Sequence, residues 1–106
     1  MKIEDVIKVF KSCETNNNNN NRTIIKYKNN VEAGIELGVV LAKTDSMYEV
    51  FIHSKIKNEV ISQILYSTYD NEEEGKGYYN KLEQYITNFN LEGIVDEIKK
   101  GNEKGF

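Results

Sequence analysis

The chain has 106 residues, of which 29% are charged, with a formal net charge of −3, one cysteine, no proline and no tryptophan. That length suits one domain with a modest core, and a lone cysteine excludes an internal disulfide framework. The mild acidity argues against general nucleic-acid binding, which wants a basic face, and no run approaches the roughly 18 apolar residues of a membrane span. The opening "MKIEDVIKVF" lacks the basic flank and unbroken apolar block of a signal peptide. With the single cysteine, this points to a cytoplasmic protein.

Ile3, Val6, Ile7 and Phe10 recur at helical spacing and predict a first helix with one apolar face. Glu4 and Lys8 form a favourable i,i+4 pair on it. The helix should stop near residues 12–14. Six consecutive asparagines follow, at 16–21. Asparagine prefers turns because its side chain bonds nearby backbone, so residues 15–21 read as a mobile surface loop. The run is too short a tether, and the residues before it too few, to separate two domains.

The period then changes to two. "RTIIKYK" places Ile25 and Tyr27 on one side, and Asn29–Asn30 reads as a two-residue hairpin turn. In the next run Ile35, Leu37, Val39 and Leu41 face one way. After a turn at 44–46, Tyr48, Val50 and Ile52 alternate against Glu49, Phe51 and His53. From about Ile56 the spacing of Val60, Ile61, Ile64, Leu65 and Tyr69 predicts a helix. "YDNEEEGKGYYN" reads as a turn-rich acidic segment. Tyr78, Leu82, Tyr85, Ile86 and Phe89 form another helical stripe, and Asn90 caps a last helix carrying Leu91, Ile94, Val95 and Ile98, with Gly101 at its C′ position.

The expectation is an α+β domain over residues 1–101: a helix, a three-stranded antiparallel meander, then two or three helices on one face of the sheet. Residues 102–106 read as a disordered tail. A helix, three strands and a helix is also the order of double-stranded-RNA-binding domains. Those need clustered Lys or Arg at the second helix, where this chain has only "SKIKNEV" and then acids.

Little in the chain reads as catalytic. Cys13 and His53 are the one nucleophile–base combination available, and nothing in their spacing links them. Two Cys or His residues are too few for a structural zinc site, and "DNEEEGKG" lacks the ligand spacing of a calcium loop. No Gly-rich phosphate loop is present; Gly34 and Gly38 sit in a strand pattern and mark a bulge or a close contact. No metal, cofactor or enzymatic activity is therefore expected. The feature that stands out is Asp70, Glu72, Glu73 and Glu74, with Tyr78 and Tyr79 beside them. It reads either as a solvated helix start or as a docking patch for a basic partner.

The opening "MKIEDVIKVFKS", the three-strand meander, "NEVISQIL" and "NEEEGKGYYNKLEQYI" come in an order that resembles the small phage-encoded anti-CRISPR inhibitors of type II effector nucleases. The resemblance implies a cytoplasmic inhibitor acting in a bacterial host. It would be a DNA mimic whose Glu72, Glu73 and Glu74, flanked by Tyr78 or Tyr79, occupy the basic cleft that reads the PAM. Carboxylates can accept the bonds that such Arg and Lys side chains offer to DNA. The Asn loop, the "GKG" between acids and tyrosines and the residues after the helix depart from the family pattern. The alternative is a toxin-immunity or antitoxin-like protein covering a nuclease site with the same acids.

Overall fold

A computed structural model describes residues 2–16 and 21–103. The elements are α1 (Ile3–Ser12), β1 (Thr23–Glu32), β2 (Ile35–Lys43), β3 (Tyr48–Ile56), β4 (Glu59–Tyr69), α2 (Glu72–Thr87) and α3 (Leu91–Glu103). The strands form one antiparallel sheet in the order β1-β2-β3-β4. The α+β class therefore holds, but with four strands instead of three. Residues 17–20 of the expected Asn loop lie outside the described residues. Of the expected tail, 102–103 close α3 and 104–106 also lie outside them.

All three helices pack on one side of the sheet. Leu37, Val39, Leu41, Val50 and Ile52 meet Val6 and Phe10 of α1, Tyr79, Leu82 and Ile86 of α2, and Ile94, Val95 and Ile98 of α3. The alternation of β2 and β3 dictates this face, since successive strand side chains point to opposite sides. No described helix is long and apolar enough to cross a membrane.

The helix expected from Ile56 to Tyr69 is instead a hairpin turn and β4. Lys57 and Asn58 have φ of 48° and 68° between the paired Ile56 and Glu59, the positive φ at both central positions that a type I′ turn requires. Two bulges explain the helical spacing that follows. From Ser54↔Ile61 to Ile52↔Ile64, β3 advances two residues and β4 three; the same happens from there to Val50↔Ser67. A bulge adds one residue and shifts the alternation. Ile61 and Ile64, three apart, therefore reach the same core. Leu65, in the second bulge, has φ of 57°.

The first hairpin turn also moves. Asn29 and Asn30 lie inside β1, and the chain reverses at Ala33 and Gly34, with φ of 51° and 78°. Asn30 instead ties β1 to the open end of α2, where its Nδ2 donates to the carbonyls of Ile86 at 3.0 Å and Thr87 at 3.4 Å. That end is otherwise closed by a Schellman pattern. Asn90 N donates to Tyr85 O and Phe89 N to Ile86 O, around Phe89 at φ 51°.

α2 starts six residues earlier than the Tyr78 stripe suggests. Asn71 Oδ1 accepts from Glu74 N at 2.9 Å, and Asn71 Nδ2 donates to the Glu74 carboxylate; the cap satisfies a backbone donor that the helix cannot. Gly75 stays in the helix because it is buried against the sheet: a Cβ there would lie 3.3 Å from Leu41 Cδ1 and 3.4 Å from Tyr48 Cβ. Asn90 does cap α3, accepting from Gly93 N at 2.9 Å. Gly101 lies inside α3 and not at its C′ position.

Candidate protein-interaction surface

The acidic segment is the first turn of α2 with the residue pair before it. Asp70, Glu73 and Glu74 are exposed and Glu72 is half-buried. Glu74 belongs to the cap, and Glu72 pairs with Lys76 at 3.4 Å one turn on. Carboxylates in this position favour the positive end of the helix dipole. The tyrosines do not join them. Tyr79 is fully buried in the core, where its hydroxyl donates to Glu83 and Lys26 Nζ lies 5.3 Å from its ring centroid. This corrects the expectation of an exposed contact residue. With α2 starting at Glu72, Gly75, Tyr79, Leu82 and Ile86 fall on one face. Tyr78 is half-buried and tilts against Tyr69 at 6.2 Å between centroids. Burial and the Glu97 carboxylate push its phenol pKa up.

Tyr78 lines a half-open cleft of about 790 Å³ between the ends of α1, β4, α2 and α3. Leu65, Tyr69 and Ile98 supply its apolar wall. Its main charged pair is an ion pair, with Lys81 Nζ 2.7 Å from Oε1 of the nearly buried Glu97. The adjacent Glu97 carboxylate pushes the Lys81 pKa up. Cys13 also lines the cleft, on the helix side. His53 is not near it. Its strand partner Gly38 alternates with the core-facing Leu37 and Val39, so the imidazole lies on the other side of the sheet. The structure does not bring Cys13 and His53 together.

The side of the sheet without helices holds the groups that sequence reasoning left unassigned. Glu49 is 1% exposed there. Arg22 Nε donates to its Oε1 at 2.7 Å, and the Tyr66 hydroxyl donates to its Oε2. The Arg22 guanidinium lies 4.8 Å from the Phe51 ring centroid, and Phe51 stacks on Tyr66. Val40 and Ala42 are buried beneath this group. Burial, then the bonded Glu49 carboxylate, pushes the Tyr66 pKa up to about 12. Further along, a Cβ on Gly38 would collide with His53 Nε2 and Asn29 Oδ1. The missing side chain is the notch in which Asn29 and His53 sit, and burial there lowers the His53 pKa.

Beyond that small cluster the surface carries exposed apolar side chains, with Glu36 and Lys55 between Val31 and Val60. Ile24, Tyr27, Val31 and Val60 are 57%, 64%, 61% and 67% exposed. Their registers, Ile24↔Ala42, Tyr27↔Val40, Val31↔Glu36 and Lys55↔Val60, place all four on the helix-free side. Three of them belong to β1, as does the exposed Ile25 at its bulge. Every residue of β1 except Asn30 is exposed.

β1 is also an edge. Its ladder runs to β2 alone, and among the described residues no backbone hydrogen bond reaches it from outside the sheet. The opposite edge is covered at Ser62 and Gln63. Thr15 N donates to Gln63 O at 2.9 Å, and Ser62 N donates to the Glu14 carboxylate at 3.0 Å. No protein-family model, no curated protein and no solved structure matches the chain.

Proposed function

We propose that this chain is a non-enzymatic protein-binding domain that takes an extended polypeptide segment against β1, as an added strand. The observation that carries this reading is the coincidence on one strand of an uncovered backbone edge and large exposed apolar side chains, Ile24, Tyr27 and Val31. Main-chain hydrogen bonds would supply affinity and alternate side chains specificity. A long edge strand left in this state is a template for pairing.

A second reading keeps the inhibitor that covers a basic nucleic-acid-binding cleft, such as that of a type II CRISPR effector nuclease. The toxin-immunity alternative stands on the same acids. Asp70, Glu73 and Glu74 are exposed at one corner, which favours it; Tyr79 no longer contributes contact area. Comparative capture separates the two readings. Immobilised wild type, Tyr27→Asp/Val31→Asp, and Glu72→Lys/Glu73→Lys/Glu74→Lys are exposed to the same protein mixture, with circular dichroism as the folding control. Strand addition predicts loss of the bound species with the β1 variant alone. Loss with the lysine variant alone supports the acidic inhibitor and overturns the β1 reading.

A further inference from the structure

We propose that the strand added to β1 is the β1 of a second copy of this chain, paired antiparallel about a two-fold axis at Asn29, so that the two sheets become one. This rests on the strand-addition reading and names its partner.

The backbone comes first. The two-residue turn at Ala33–Gly34 makes Glu32 and Ile35 its closing pair, and the closing pair of such a hairpin is hydrogen-bonded. Hydrogen-bonding direction alternates along a strand. Glu32, Asn30 and Lys28 therefore direct their amides and carbonyls to β2, while Val31, Asn29 and Tyr27 direct theirs outward. The same three residues put their side chains on the helix-free face, opposite Glu36, Gly38 and Val40. A second strand must match outward groups to outward groups, which restricts the axis to a residue and excludes a position between residues.

Side chains then select the residue. An axis at Tyr27 sets Lys26 against Lys28 of the other copy, and an axis at Lys28 sets that lysine against itself. Like charges directly opposite are destabilising. An axis at Asn30 leaves Tyr27 facing the turn residue Ala33. An axis at Asn29 sets Tyr27 against Val31 of the second copy on the helix-free face, twice by symmetry. On the helix side it sets Lys26 against Glu32, also twice. It sets Asn30 against Lys28 of the second copy as well. Asn30 lies at the carbonyl end of α2, whose last turn has no basic residue. A lysine there complements the negative end of the helix. At the axis, Asn29 meets Asn29 of the second copy, each with its side chain lying over Gly38 of its own sheet.

Sedimentation of the purified chain over a concentration series tests the pairing. The expected result is a reversible dimer that Lys26→Glu weakens about tenfold, since two attractive cross-strand pairs become repulsive. Glu32→Lys should do the same. The double variant Lys26→Glu/Glu32→Lys should restore association, because it exchanges the charges within the same pairs. In a Cys13→Ser background, Asn29→Cys should give a disulfide-linked dimer on mild oxidation, since paired residues approach within disulfide reach. Tyr27→Cys should not. A monomer at every concentration, a dimer indifferent to both charge reversals, or cross-linking at Tyr27 in place of Asn29 would overturn the proposal. A chain that stays monomeric but captures a different protein through Tyr27 and Val31 would end this inference and leave the strand-addition reading standing.

Discussion

At the β4 edge, Thr15 and Glu14 take up the Gln63 carbonyl and the Ser62 amide, and two bulges interrupt the ladder. At the β1 edge, ten residues run with one bulge near the start and, among the described residues, no backbone hydrogen bond from outside the sheet. Covering and bulging are two ordinary means of blunting an edge, and this chain applies both to β4. The means left to β1 are Lys26 and Lys28, which sit on the helix side next to α2 and discourage indiscriminate pairing. The difference teaches that protection of a sheet is local. One edge is capped at Ser62 and Gln63 by the residues that follow α1, while the other has, among the described residues, no such cap and carries two lysines.

The two edges meet at Glu49, and the largest expected effect lies there. Arg22 leads into β1 and Tyr66 belongs to β4, so one buried carboxylate ties both margins to β3. Glu49→Ala removes the buried carboxylate to which Arg22 and Tyr66 both donate and should cost about 3 kcal/mol of stability, as the loss of two hydrogen bonds to a charged group does, read by chemical denaturation. An unchanged midpoint would show that the edges are held independently. Next comes the closed edge alone. Glu14→Ala removes the acceptor for the Ser62 amide and should cost about 1 kcal/mol. Tyr27→Asp should change monomer stability by less than about 0.5 kcal/mol, as an exposed surface substitution does, and should abolish strand pairing.

The smallest effect concerns pH. Burial holds the His53 pKa below its usual 6.5, so the folded chain favours the neutral ring. The stability this contributes is complete above pH 6.5 and is lost as pH falls below it, where the unfolded chain binds the proton more readily. Melting at about pH 7.5 and about pH 5.5, with and without His53→Gln, should show a component that the substitution removes. An identical pH dependence in the variant would place the titrating group elsewhere.

Much of the core side was legible in the sequence. The period-two runs through Ile35–Leu41 and Tyr48–Ile52 gave the helix-covered face, and the Ile3–Phe10 spacing gave α1. β4 was hidden because its bulges space Ile61 and Ile64 as a helix would. The start of α2 was hidden by Gly75 and Gly77, although Asn71 with Glu74 three residues on is a capping signature. Starting that helix at Glu72 also moves Tyr79 from the surface to the core. The site was less legible. Nothing local distinguishes a covered edge strand from an open one, since cover comes from residues far away in sequence. Nor does the sequence join Arg22, Glu49 and Tyr66 before the register is known.

Residue-resolved amide hydrogen exchange in dilute solution tests the contrast between the edges most directly. An uncovered β1 predicts fast exchange at Tyr27, Asn29 and Val31, beside slow exchange at Lys28, Asn30 and Glu32, whose amides bond to β2. A covered β4 predicts slow exchange at Ser62 and Thr15. Protection of Tyr27, Asn29 and Val31 in the dilute monomer, equal to that of Ser62, would contradict the account, because it would mean that the chain closes its own β1 edge and has no strand site to offer.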